Sequence, residues 1–107
     1  MSVRRGLTIV ISGADPDRLR SALGIAAAEA ALGGKVRLYF DANATPLLGD
    51  LPQLLALMLD AALDLGTSVS VCQTGLAEHG IALDPRFEAS GPVAIMADIG
   101  EDRLLLA

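Results

Sequence analysis

The sequence predicts an α/β domain in three layers, α/β/α, built on a five-stranded, mainly parallel sheet. Three observations carry that prediction. Short β-branched apolar runs alternate with stretches in which apolar residues recur at helical spacing. Gly33-Gly34, Gly66, Gly80 and Gly100 each follow one of those helical stretches, where a stop is needed. The first third reads as strand, helix, strand, whose strands should be parallel and joined by a right-handed crossover.

Leu7-Thr8-Ile9-Val10-Ile11 is short and apolar almost throughout, as a strand buried on both faces is. After the Ser12-Gly13-Ala14 turn, Asp15 offers an N-cap and Pro16 a pre-set first helical residue. Leu19, Leu23, Ala26, Ala27 and Ala30 then follow at helical spacing, and Lys35 to Phe40 reads as the second strand. Asp41 to Gly49 is a loop. Asp50 and Gln53 are expected to cap a second helix, with Pro52 in its first turn. Leu54, Leu55, Met58, Ala61, Ala62 and Leu65 give its apolar side. Thr67 to Cys72 is the third strand. Ser68, Ser70 and Cys72 share one of its faces, and their small size predicts a helix packed close against them. Thr74 to Gly80 fits a short helix, Asp84-Pro85 a turn, and Arg86 to Ala89 a fourth strand. Val93 to Ile99 is read as a helix because Ser90 can cap it, Pro92 suits its first turn and Gly100 stops it. Asp102 to Leu106 is the fifth strand.

The chain has 107 residues, and 1–107 reads as a single domain without linker or repeat. Eight Lys plus Arg against thirteen Asp plus Glu give 8 − 13 = −5, and no basic stripe is present. Nucleic acid, which needs dense cationic contacts, is therefore not an expected partner. No apolar run approaches the roughly 20 residues of a spanning helix, so no membrane partner is expected. The start, from Met1 to the apolar run ending at Ile11, is shorter than a secretory core, which predicts a cytoplasmic protein. One cysteine and one histidine exclude an internal disulfide, a cysteine-rich zinc site and any pair of imidazoles. No phosphate-cradling glycine motif is present either. Neither a cofactor nor a metal is expected.

In an open parallel sheet, reactive groups gather beyond the carboxyl ends of the strands. Ser12 and Gly13 fall there after the first strand, Asp41 after the second, and Cys72, Gln73 and Thr74 after the third. Cys72 is the one intrinsic nucleophile among them. Backbone N–H groups from Gln73 to Gly75, at the start of a helix, are expected to favour its thiolate and leave it partly accessible. Two readings of Cys72 follow: a reactive thiol, or a small buried strand residue. His79 has two as well, a cation complementing the helix end or a proton donor that reaches the sulfur if the helix folds back.

The run Val69-Ser70-Val71-Cys72-Gln73-Thr74-Gly75-Leu76-Ala77-Glu78-His79-Gly80-Ile81 resembles the DsrE/DsrF-like family of sulfur-relay proteins. Also similar are Ile11-Ser12-Gly13-Ala14-Asp15-Pro16-Asp17-Arg18, Leu32-Gly33-Gly34-Lys35-Val36, Phe40-Asp41-Ala42 with Leu47-Leu48, and the closing Asp102-Arg103-Leu104-Leu105. The order and spacing of these pieces, over almost the whole chain, carry the resemblance. It implies that Cys72 carries sulfane sulfur as a persulfide between a donor and an acceptor protein. It further implies a homo-oligomer, a trimer or hexamer. Composition points to an oligomer independently. A mean hydropathy of +0.51 in a chain this short leaves apolar surface that a monomer does not hide. Leu47, Leu48 and Leu51 are the expected patch, joined by Leu54 and Met58 if the second helix turns partly outward.

Overall fold

The computed structural model describes residues 4–107. Met1, where the reading of the start begins, lies outside the described residues. The elements are β1 (Leu7–Ile11), α1 (Pro16–Ala31), β2 (Val36–Phe40), α2 (Pro46–Gly49), α3 (Gln53–Asp64), β3 (Ser68–Cys72), α4 (Gln73–His79), β4 (Glu88–Ser90), α5 (Pro92–Asp98) and β5 (Arg103–Leu106). The five strands form one sheet in the order β4-β3-β2-β1-β5, and every pairing is parallel. The three-layer α/β/α architecture stands, with an all-parallel sheet.

Topology decides which helix covers which face. The chain steps β1, β2, β3, β4 in one direction, so right-handed crossovers place α1, α3 and α4 together. The step from β4 to β5 returns across the whole sheet, and the same handedness places α5 on the opposite face. Packing agrees, because Leu76 of α4 joins one cluster with Leu19 and Leu23 of α1 and Leu55 and Leu59 of α3. Beneath them lie Leu7, Ile9 and Ile11, then Val36, Leu38 and Phe40, then Val69 and Val71, side by side in register. Each of these strand residues is buried. The opposite face carries Thr8, Val10, Tyr39, Ser70, Cys72, Leu104 and Leu106. Among the described residues its one helix, α5, has seven residues and none fully buried. Leu104 and Leu106 remain 50% and 69% exposed. We call the two sides the covered and the open face.

Several local expectations are corrected. The loop after β2 contains α2, which begins at Pro46 and takes Asp50 as its closing residue. Asp50 is thus unavailable to α3, whose N-cap is Pro52 with no side-chain capping bond. Ser90 belongs to β4, opposite Cys72, so Gly91 takes the N-cap of α5. β4 starts at Glu88 because Asp84 first turns the chain, its Oδ1 accepting from the Arg86 N–H at 2.9 Å. The small face of β3 is not the closely packed one. Ser68 is exposed, and α4 packs its Leu76 on the covered face instead. Leu47 is buried and Leu48, Leu51 and Met58 pack against the core, so they form no patch; Leu54 is exposed.

Away from the carboxyl edge, a partly exposed ion network around Glu29 joins Arg4 to β5. The Glu29 carboxylate accepts from Arg4 Nε at 2.8 Å and lies 2.9 Å from Arg103 Nη2. The hydrogen bond from Arg4 is the main reason its pKa falls to about 2; burial opposes this and Arg103 adds to it.

Candidate functional site

The parallel register sets a row of residues along the carboxyl edge. Val10 pairs Leu106, Ile11 pairs Phe40, Phe40 pairs Val71, and Cys72 pairs Ser90. One step beyond, Ser12, Asp41, Cys72 and Ser90 align at the ends of successive strands about 4.8 Å apart, with Ala107 level with Ile11. Asp41 is therefore the strand neighbour of Cys72, whereas Ser12 lies two strands away. The N–H and hydroxyl of Ser12 both donate to the Ala107 carbonyl, at 3.2 and 2.8 Å, so Ser12 ties β1 to β5. Gly13 stays with it at that end of the row. Asp41 closes a turn, its Oδ1 accepting from Asn43 N–H at 2.9 Å.

Gly75 fixes where α4 sits. A Cβ there would come 2.7 Å from Ala42 Cα and 2.8 Å from Thr45 Cγ2. Only a residue without a side chain lets α4 lie against the turn that follows β2. This contact brings Cys72, Gln73, Thr74 and Gly75 beside Asp41. Gly80 ends α4 in the left-handed conformation, at φ +62°, which favours glycine.

Cys72 itself corrects two expectations. It is buried, with 6% exposure, rather than partly accessible. It occupies the N-cap of α4, yet its side chain takes no capping hydrogen bond. The backbone donors after it are not its partners. His79 is equally remote: α4 runs away from Cys72 for about 10 Å and leaves His79 exposed in its last turn.

The residue that sequence reasoning missed is Tyr39. It is 3% exposed, and among the described residues its hydroxyl has no well-formed hydrogen bond, the adjoining side chain being that of Cys72. Tyr39 pairs Ser70, which makes Cys72 its diagonal neighbour on the same face, within reach of an aromatic side chain. Burial raises the phenol pKa, and the adjoining Cys72 side chain and the Asp41 carboxylate raise it further. The signal was present in the alternation of β2. With Val36, Leu38 and Phe40 facing one side, Tyr39 must share the side of Ser68, Ser70 and Cys72 once the strands are parallel.

An open groove lies at the same edge, between Gln73, Thr74 and Ala77 of α4 and the Ser90-Gly91-Pro92 bend; it is lined by the chain neighbour of Cys72, Gln73, and not by Cys72 or Tyr39 themselves. On the covered face, an apolar cavity of about 110 Å³ sits among Leu48, Leu59, Val71, Leu76 and Phe87. Arg86 stands at its rim, bound to Asp60 at 2.8 Å and Asp84 at 3.0 Å, with its guanidinium 5.8 Å from the Phe87 ring centre. Among the described residues, no group of three or more His, Cys, Asp or Glu side chains is arranged to hold a metal ion. No helix of the described residues is long and apolar enough to cross a membrane.

Fold and site together define a class: a small parallel α/β protein with one buried thiol at the carboxyl edge, beside an unpartnered phenol. The chain matches no protein-family model and no curated protein.

Proposed function

We propose that this protein is a sulfur carrier that holds sulfane sulfur as a persulfide on Cys72 and passes it to a partner protein. The observation that carries the reading is the position of Cys72, the one thiol of the chain, at the carboxyl end of β3 between Asp41 and the groove beside α4. The resemblance to the DsrE/DsrF-like family supports it. Loading is a thiolate displacement. The Cys72 thiolate attacks the outer sulfur of a donor persulfide R–S–SH, a new S–S bond forms, the donor S–S bond breaks, and R–S⁻ leaves. An acceptor thiolate then attacks the outer sulfur on Cys72 and regenerates the Cys72 thiolate. Neither step needs an oxidant or a metal.

Burial of Cys72 favours a second reading, in which the thiol only fills space under an assembly protein or a small-ligand binder of the same fold. In both readings we propose a homo-oligomer, a trimer or hexamer. The support is the open face, where Leu104, Leu106, Val93 and Met96 are half or more exposed. One experiment separates the two readings. The protein is incubated with a persulfide-bearing cysteine desulfurase and then treated with a persulfide-selective alkylating reagent. The carrier reading predicts one trapped sulfur atom on the wild type and none on Cys72→Ser. A wild type that traps none leaves the structural thiol as the account.

A further inference from the structure

We propose that the Tyr39 hydroxyl is the hydrogen-bond donor that holds the anionic sulfur on Cys72, first as thiolate and then as the outer sulfur of the persulfide. This rests on the reading of Cys72 as a sulfur carrier. A buried anion needs a donor or a cation, because desolvation is otherwise too costly. The backbone of α4 supplies no bond to the Cys72 side chain. The cation on the same face, Arg37, sits at the amino end of β2 and is engaged by Asp102 at 3.5 Å. The charged groups around the pair are otherwise of the wrong sign or remote. Asp41 follows β2, Glu88 lies across from Ser70 on β4, Glu78 and His79 occupy the last turn of α4, and Asp98 ends α5.

Of the neutral hydroxyls beside the thiol, Ser90 across from it on β4 is partly exposed to water, whereas that of Tyr39 is buried and free to act. It is buried without any partner, an arrangement that costs stability unless a ligand or a charge state uses it. The Cys72 side chain is the hydrogen-bonding group that adjoins it. A thiolate accepts far more strongly than a thiol, and a second sulfur adds about 2 Å of reach. The neighbours that raise the phenol pKa also keep it protonated, and hence a donor, while the thiol ionises. Tyr39 is thus a positioning residue: it holds the sulfur that reacts and does not itself exchange atoms.

The sequence makes the test clean, because Tyr39 is the only tyrosine, Cys72 the only cysteine, and tryptophan is absent. The Cys72 titration midpoint is read from alkylation rate against pH in wild type and in Tyr39→Phe, which keeps the ring. The proposal expects the midpoint to rise by about one pH unit in Tyr39→Phe, a tenfold loss of thiolate below it. An unmoved midpoint overturns it. A second measurement needs no change at Tyr39. Its fluorescence in the wild type should step at the Cys72 midpoint, and the step should vanish in Cys72→Ser. A step that persists there overturns the proposal too, so an unstable Tyr39→Phe does not decide the matter. Sulfur uptake is scored separately. A wild type that takes up no sulfur overturns the carrier reading, whereas uptake with an unmoved midpoint overturns the role of Tyr39 alone.

Discussion

The two faces of the sheet differ in what they are made to do. The covered face presents Leu7, Ile9, Ile11, Val36, Leu38, Phe40, Val69 and Val71 to α1, α3 and α4, with Leu47 of α2 joining them, and buries every one. The open face mixes Thr8, Tyr39, Ser70 and Cys72 with half-exposed leucines under one seven-residue helix. Apolar burial, the dominant favourable term in folding, is concentrated on the first. The polar and reactive groups, and the unsatisfied phenol, are left to the second. On the open face, Thr8, Tyr39 and Cys72 are buried all the same, and only the β5 end, with Leu104 and Leu106, can change at little cost to the fold.

The largest effect that could break this comparison comes from matched truncations. Phe40→Ala on the covered face should cost about 3–5 kcal/mol in urea unfolding, whereas Leu104→Ala should stay within about 0.5 kcal/mol when unfolding is followed for the isolated chain. Comparable losses from both would mean that the open face belongs to the core. Next comes Gly75→Ala. The added methyl meets the Ala42 backbone as well as the buried Thr45 methyl, so a loss of about 1–3 kcal/mol is expected, with faster alkylation of Cys72 as α4 is pushed off its seat.

The Glu29 network sharpens the contrast by pH. Its folded pKa of about 2 lies below the ordinary 4.5, so its stabilisation is whole above pH 4.5 and drains away as pH falls towards 2. Acid unfolding of Glu29→Gln should lack that part of the slope, and an unchanged acid limb would contradict the assignment. The smallest effect on the single chain is expected from Leu106→Lys. It should leave the fold intact while light scattering shows the proposed assembly falling to 11.0 kDa. An unchanged mass would show that the open face is not the contact between copies.

Much of this was legible in the residues, and the limits have physical causes. The strand and helix order, the Asp15 cap and the short fourth crossover all follow from local spacing and punctuation, which act over a few residues. The caps by Asp50 and Ser90 failed because a neighbouring element, α2 or β4, claimed each residue first. Leu47 and Leu48 looked like surplus apolar surface because a loop sequence does not reveal that it folds back onto α3 and α4. Cys72 was identified from its place at a strand end. Tyr39 was not, because its importance arises only when the parallel register of β2 and β3 sets it diagonal to that thiol.

The central claim, that Cys72 is a working thiol on the open face and not a core residue, is tested most directly by its reactivity in the native protein. Alkylation of Cys72 is followed without denaturant and compared with the rate that global unfolding alone would permit. The account predicts much faster reaction, through local opening beside α4, with Phe40→Ala changing it little beyond its effect on stability. Alkylation that proceeds only as fast as the whole chain unfolds would contradict the claim and return Cys72 to the core.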